Sequence, residues 1–148
     1  MRVALDSSII IYAEDMFTDQ RRNVALELLA TMPAESLVLP LQATGEALNW
    51  LVRKGKVPKI LAVTRMARWL ESYNSQATTL DVLDGAYELI ADHDFQVWDA
   101  VILSASSEAG ATILLSEDMQ DGFRWRGVTI VNPFAATPHP LLLKILNF

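Results

Sequence analysis

Cysteine is absent from the 148 residues. That excludes disulfide scaffolds, thiolate zinc sites and cysteine nucleophiles. Histidine is almost absent: His93 and His139 are the only two, and neither stands at a metal-ligand spacing from another such donor. Both read as surface or turn residues. No run of about 18 apolar residues occurs, so no membrane span is expected. The longest uncharged segment, Val128 to Leu143, contains Pro133, Pro138 and Pro140, which a spanning helix does not readily accommodate. The opening residues Met1-Arg2-Val3-Ala4-Leu5-Asp6 reach a carboxylate before any signal-peptide apolar stretch forms, and the cytoplasm is the expected compartment. Neither G-x-x-x-x-G-K-[ST] nor G-x-G-x-x-G is present, which removes the common nucleotide-binding folds.

What remains is an ordinary globule. Residues 1–148 amount to a single domain, and a chain of this size hides about 68–70% of its unfolded surface. Hydrophobic residues make up 51% and charged residues 20%, which excludes disorder, collagen-like repeats and a pure coiled coil. The net charge is −6, which by itself argues against nucleic-acid binding. Its distribution argues the other way. Between Ala47 and Leu70 there is no acid, yet Arg53, Lys54, Lys56, Lys59, Arg65 and Arg68 fall there. That segment is either a solvated helical face or a surface for an anionic chain.

Apolar and turn signals alternate in a βα rhythm. Val3–Leu5, Leu37–Leu39, Thr112–Leu115 and Val128–Val131 read as short buried strands, and Thr78–Leu80 as a weak one. Helices are expected over Asp19–Thr31, Leu41–Val52, Pro58–Tyr73, Asp81–Ala91 and Trp98–Ala109, with Asp81 as an N-cap and Gly110 ending the last. Leu141–Leu146 reads as a short apolar helix or an interface arm. No internal repeat, low-complexity tract or linker interrupts this order. The pattern predicts a three-layer α/β/α sandwich with a mostly parallel sheet. In such sheets ligands bind beyond the carboxyl ends of the strands.

Carboxylates recur at those ends. Asp6 directly follows the first strand, and Glu117 and Asp118 follow the Thr112–Leu115 strand after Ser116. Asp99 lies in the first turn of its helix, and Glu46 lies in the helix after the second strand. Like charges gathered at one edge raise each other's pKa. A cation relieves that conflict, and oxygen donors without Cys or His suit Mg²⁺ or Mn²⁺. Singly, each acid also has a plain reading as a cap, a surface residue or, for Asp118 and Asp121 before Gly122, a turn former.

Taken in order, these segments resemble the PIN-domain family, specifically the small bacterial nucleases of the VapC toxin type. Leu5-Asp6-Ser7-Ser8-Ile9-Ile10-Ile11-Tyr12-Ala13 is similar to the family's opening Asp-Thr-Asn segment, with Ser7 for threonine and Ser8 for asparagine. Gln42-Ala43-Thr44-Gly45-Glu46-Ala47-Leu48-Asn49 resembles the helix that carries its glutamate, and Trp98-Asp99-Ala100-Val101-Ile102-Leu103 the segment with its second aspartate. Leu115-Ser116-Glu117-Asp118-Met119-Gln120-Asp121-Gly122 resembles its Thr-x-Asp segment, and Val128–Phe134 a common closing segment.

The resemblance implies a Mg²⁺- or Mn²⁺-dependent endoribonuclease, the toxin of a toxin–antitoxin pair. Asp6, Glu46, Asp99 and Asp118 map onto its acidic quartet, with Asp6 and Asp99 the best candidates for primary metal ligands. Glu117 and Asp121 are candidate auxiliaries, Ser116 is expected to orient the Asp118 loop, and Ser7 the Asp6 carboxylate. The implied chemistry is in-line attack of a metal-activated water on an RNA phosphodiester. Products would carry a 5′-phosphate and a 3′-hydroxyl. Arg53, Lys54 and Lys56 are candidates for holding flanking RNA. An antitoxin covering the acidic cleft and a homodimer are the implied partners. Trp98, beside Asp99, is a candidate base-stacking residue, whereas Trp50 and Trp69 read as core or groove. Two alternatives use the same resemblance: a housekeeping PIN nuclease in RNA processing, and a non-catalytic PIN-like RNA-binding module. Haloacid-dehalogenase and receiver patterns fit less well. The first wants an aspartate where Ser8 stands, and the second a lysine after a late strand, where only the distant Lys144 is found.

Overall fold

The structure, a computed structural model, describes residues 1–14 and 20–146. The elements run β1 (Val3–Leu5), α1 (Ser7–Glu14), α2 (Gln20–Thr31), β2 (Leu37–Pro40), α3 (Leu41–Arg53), α4 (Lys59–Ser72), β3 (Asn74–Gln76), α5 (Leu80–His93), α6 (Val97–Glu108), β4 (Ile113–Leu115), β5 (Arg124–Trp125), β6 (Val128–Val131) and α7 (Pro140–Leu146). A single 3₁₀ turn, Ala34–Ser36, leads into β2.

The sheet order is β3-β2-β1-β4-β6-β5. Every pairing is parallel except β5 with β6. The central strands β1, β2 and β4 are buried at every position, as expected of strands covered on both faces. The chain steps from β1 to β2 to β3 in one direction and then returns across the sheet to β4. Right-handed crossovers therefore put α1–α4 on one face and α5–α6 on the other. The reversal between β1 and β4 is the topological switch point, the place where such sheets bind ligands.

Local chemistry accounts for the elements that position this edge. Asp6 stops β1, and its main-chain carbonyl accepts from Ile9 N at 3.1 Å to start α1. Ile9, Ile10 and Ala13 bury one side of that helix. Helix α6 is buried over the whole stretch Ala100–Ser106, because α5 lies against it on the side away from the sheet. Their approach is close: Ser104 Oγ donates to Val82 O at 2.7 Å, and a Cβ on Gly85 would fall 2.4 Å from that hydroxyl. The β5–β6 hairpin turns on Arg126 and Gly127, both with positive φ (44° and 82°). That is the two-residue turn that a twisted hairpin favours, and it needs left-handed backbone at both positions.

Several expectations need correction. The third strand lies at Asn74–Gln76 rather than Thr78–Leu80. It is a polar edge strand made by main-chain pairing with β2, so no apolar pattern marks it. Thr79, not Asp81, caps α5, its side chain accepting from Val82 N at 3.2 Å. Helix α1 and strand β5 have no counterpart in the sequence reading. The expected helix start at Asp19 lies outside the described residues; α2 is described from Gln20. Leu141–Leu146 does form a helix, with Leu142 and Ile145 buried. Among the described residues no helix is long and apolar enough to cross a membrane.

Candidate functional site

Asp6 is the anchor of the site. It is only 2% exposed, yet both carboxylate oxygens are held. Oδ1 accepts from Ser7 N at 2.7 Å, and Oδ2 accepts from Ser116 Oγ at 2.6 Å. The two partners come from either side of the switch point, because Ser116 directly follows β4 and the Asp6 amide itself donates to Leu115 O at 3.0 Å. Ser116 Oγ in turn accepts from the amides of Asp118 and Met119, each at 3.3 Å. One hydroxyl thus ties Asp6 to the loop that presents Asp118.

Ser7 makes the second tie. Its hydroxyl donates to Glu46 Oε1 at 3.2 Å and lies 3.5 Å from Asp6 Oδ1. Glu46 sits on the second turn of α3, which starts directly at the end of β2, and its other oxygen accepts from Gln42 Nε2 at 3.4 Å. Asp99 sits in the first turn of α6, where its amide donates to Gln96 Oε1 at 2.9 Å.

The acids feel one another. Burial first, and then the charges of Asp99 and Glu46, push the Asp6 carboxyl up to about 7, against the opposing hydrogen bonds of Ser116 and Ser7. Asp99 is pushed up to about 6 by burial, Glu46 and Asp118. Asp118 is raised by burial and by Glu117. Electrical coupling is not yet a coordination sphere. Among the described residues no group of three or more His, Cys, Asp or Glu is drawn together closely enough to hold a metal ion. The donor set is nevertheless all carboxylate oxygen, which matches a hard divalent cation, and its mutual repulsion is the conflict such a cation relieves.

Other candidate residues lie further out. Glu117 bonds to Tyr12 and Arg21, and reaches the acids only as a charge beside Asp118. Asp121 Oδ1 accepts from Asn132 N at 2.8 Å and so staples the loop to the end of β6. Arg53, Lys54 and Lys56 are exposed at the far end of α3, about 10 Å along the helix from Glu46 at 1.5 Å per residue. Arg65 departs from this group, its Nε lying 3.8 Å from Glu14. Trp69 and Trp125 are buried, with indole N–H groups aimed at Glu14 and Glu88. Trp98 stands half-exposed beside Asp99. His139 Nδ1 accepts from Leu141 N at 3.1 Å, and His93 packs on Phe123. A cavity of about 460 Å³ opens at the other end of the sheet, between Met1, Val3, Met32, Pro33 and Ile145. It is mainly apolar and has no part in the acidic centre.

Solved structures share this fold. Mycobacterium tuberculosis VapC20, a Sarcin-Ricin loop cleaving toxin, superposes with a TM-score of 0.65 at 22% identity, over 76% of this chain and 86% of that one. This chain has the VapC toxin fold. A toxin–antitoxin complex from Klebsiella pneumoniae matches with a TM-score of 0.67 at 20% identity, over 89% of this chain and 98% of that one. VapBC2 from Rickettsia felis, bound to a DNA fragment from its promoter, matches with a TM-score of 0.64 at 18% identity, over 88% and 97%. No family model matches the sequence, and no curated protein matches it either. The VapC likeness is therefore carried by architecture, with the acids of this chain at the switch point of that architecture.

Sequence reasoning missed Tyr12, Arg21, Gln42 and Gln96. The first two meet the site through Glu117, some 96 to 105 positions away in sequence, and no local pattern signals such a contact. Gln96 was readable in principle, since it occupies the N-cap position before Asp99.

Proposed function

We propose that this chain is a Mg²⁺- or Mn²⁺-dependent endoribonuclease that acts as the toxin of a toxin–antitoxin pair. The observation that carries the reading is Asp6. A buried carboxyl, pushed toward neutrality by its surroundings and held at both oxygens, is costly to ionise unless a cation faces it. VapC architecture supports the choice of reaction and partner.

Asp6 and Asp99 would hold the ion, with Glu46 and Asp118 completing its surroundings directly or through water. When bound, the ion supplies an activated water and neutralises charge at the phosphorus. Ser116 fixes Asp6 and the Asp118 loop in one register, and Ser7 does the same for Asp6 and Glu46. Arg53, Lys54 and Lys56 would hold the backbone of the RNA, and half-exposed Trp98 offers a face on which a base can stack. The expected setting is the cytoplasm, with a homodimer and a cognate antitoxin that covers the acids.

Controlled expression in a bacterium tests the role. The account expects growth arrest with new 5′-phosphate RNA ends, lost with Asp99→Asn and relieved by the antitoxin encoded beside it. Unimpaired growth together with specific cleavage of a precursor RNA would support the housekeeping alternative instead.

A further inference from the structure

Glu117 immediately precedes Asp118, yet its carboxylate is turned elsewhere and is unusually well held. Oε1 accepts from the Tyr12 hydroxyl, and Oε2 pairs with Arg21 Nε at 2.6 Å. Its amide donates to Ser8 Oγ at 3.2 Å. The restraint is itself braced: the Arg21 guanidinium lies 5.8 Å over the Tyr12 ring, and that ring meets Phe134 edge-on at 5.1 Å. Three side chains from α1 and α2 thus seize one residue of the loop after β4.

A glutamate in that place without those contacts has three free torsions and a charge beside Asp118. It would add a fifth carboxylate to a centre already crowded with negative charge. We propose that Tyr12 and Arg21 form a latch that turns Glu117 out of the acidic centre, so that the loop presents Asp118 and no second carboxylate. The inference rests on reading those acids as a metal centre. Tyr12 and Arg21 are positioning residues in this account. Their effect is on the number of oxygen donors, and donor number and flexibility are what separate Ca²⁺, with six to eight ligands, from Mg²⁺, which demands a smaller octahedral set. The latch therefore sets which cation the centre prefers.

The test uses Mn²⁺ as the probe, followed by electron paramagnetic resonance, with Mg²⁺ and Ca²⁺ as competitors. Parent and Glu117→Gln are expected to share one Ca²⁺/Mg²⁺ preference. Tyr12→Phe/Arg21→Gln is expected to shift it toward Ca²⁺ by roughly tenfold, the scale on which residues supporting metal ligands act. Adding Glu117→Gln to that pair is expected to restore the parent preference. An unshifted double variant overturns the latch, as does a triple variant that stays shifted, since Tyr12 and Arg21 would then be merely structural. Loss of Mn²⁺ binding in Glu117→Gln also overturns it, because Glu117 would be a ligand. In all three cases the metal reading survives. A parent protein that binds no Mn²⁺ overturns the metal reading and the latch with it. Tyr12→Phe alone keeps the ring and its contact with Phe134, and gives the same comparison with a smaller shift if the double variant does not fold.

Discussion

Asp6 is most comfortable protonated when no cation is present, and that has a measurable consequence. Its folded pKa, about 7, lies above the ordinary value of 3.8. The folded state therefore holds the proton more tightly than the unfolded chain. Stability from this residue is full below about pH 4 and is lost as the pH rises toward 7. Asp99, raised to about 6, adds to the same trend. In chelator, wild-type protein should lose on the order of 2 kcal/mol relative to Asp6→Asn between pH 5 and pH 8. Paired thermal melts across that range would show the wild-type Tm falling by about 4–8 °C relative to that of the variant. A difference that stays constant with pH would mean Asp6 titrates as an ordinary aspartate. Ser116→Ala removes a hydroxyl that serves Asp6, Asp118 and Met119 at once. The expected cost is about 1–3 kcal/mol, read by urea denaturation, with Mn²⁺ affinity falling alongside.

Elements were legible where packing and pattern agree. Val3-Ala4-Leu5 and Ile113-Leu114-Leu115 are apolar throughout because both faces are covered, and that shows in sequence as a short unbroken run. Helix α3 was equally plain, framed by Pro40 and Gly55. Ser7–Glu14 was not, because Ile9-Ile10-Ile11 carries a β-branched bias that the buried face of α1 overrides. Asn74-Ser75-Gln76 has no apolar signature at all, since an edge strand is made by its neighbour's backbone. Asp6, Asp99 and Asp118 stand out in the sequence because each follows a strand or opens a helix, and Glu46 because its helix starts at the end of β2. What touches them could not, because Ser7 meets Glu46 across 39 positions and Tyr12 meets Glu117 across 105. The α5–α6 crossing carries its own prediction. Gly85→Ala puts a methyl group against Ser104 Oγ, and overpacking of this kind costs about 1–3 kcal/mol. Denaturant melts should show the loss. A neutral result would mean that α5 can back away from α6 freely.

At the scale of the whole molecule, charge is sorted. The chain is acidic overall, at −6, and part of that charge is gathered at the switch point between β1 and β4. Arg53, Lys54 and Lys56 are exposed together at the end of α3. If these three bases hold RNA, replacing them with alanine should lower the salt slope of single-stranded RNA binding by about 2. The rate at saturating RNA should change little, because the three lie at the end of α3, about 10 Å along the helix from Glu46. Filter binding between 50 and 200 mM salt, conditions chosen to span the usual range, measures the slope. The sheet, its switch point and the acids beyond it support the proposed function, a metal-dependent nuclease. Its most direct test is cleavage of end-labelled total RNA by the purified protein with Mg²⁺ or Mn²⁺. The account predicts discrete cuts with 5′-phosphate ends, abolished by EDTA and by Asp6→Asn and Asp99→Asn. Cuts that persist in both variants, or a folded protein that neither cuts RNA nor binds Mn²⁺, would contradict it.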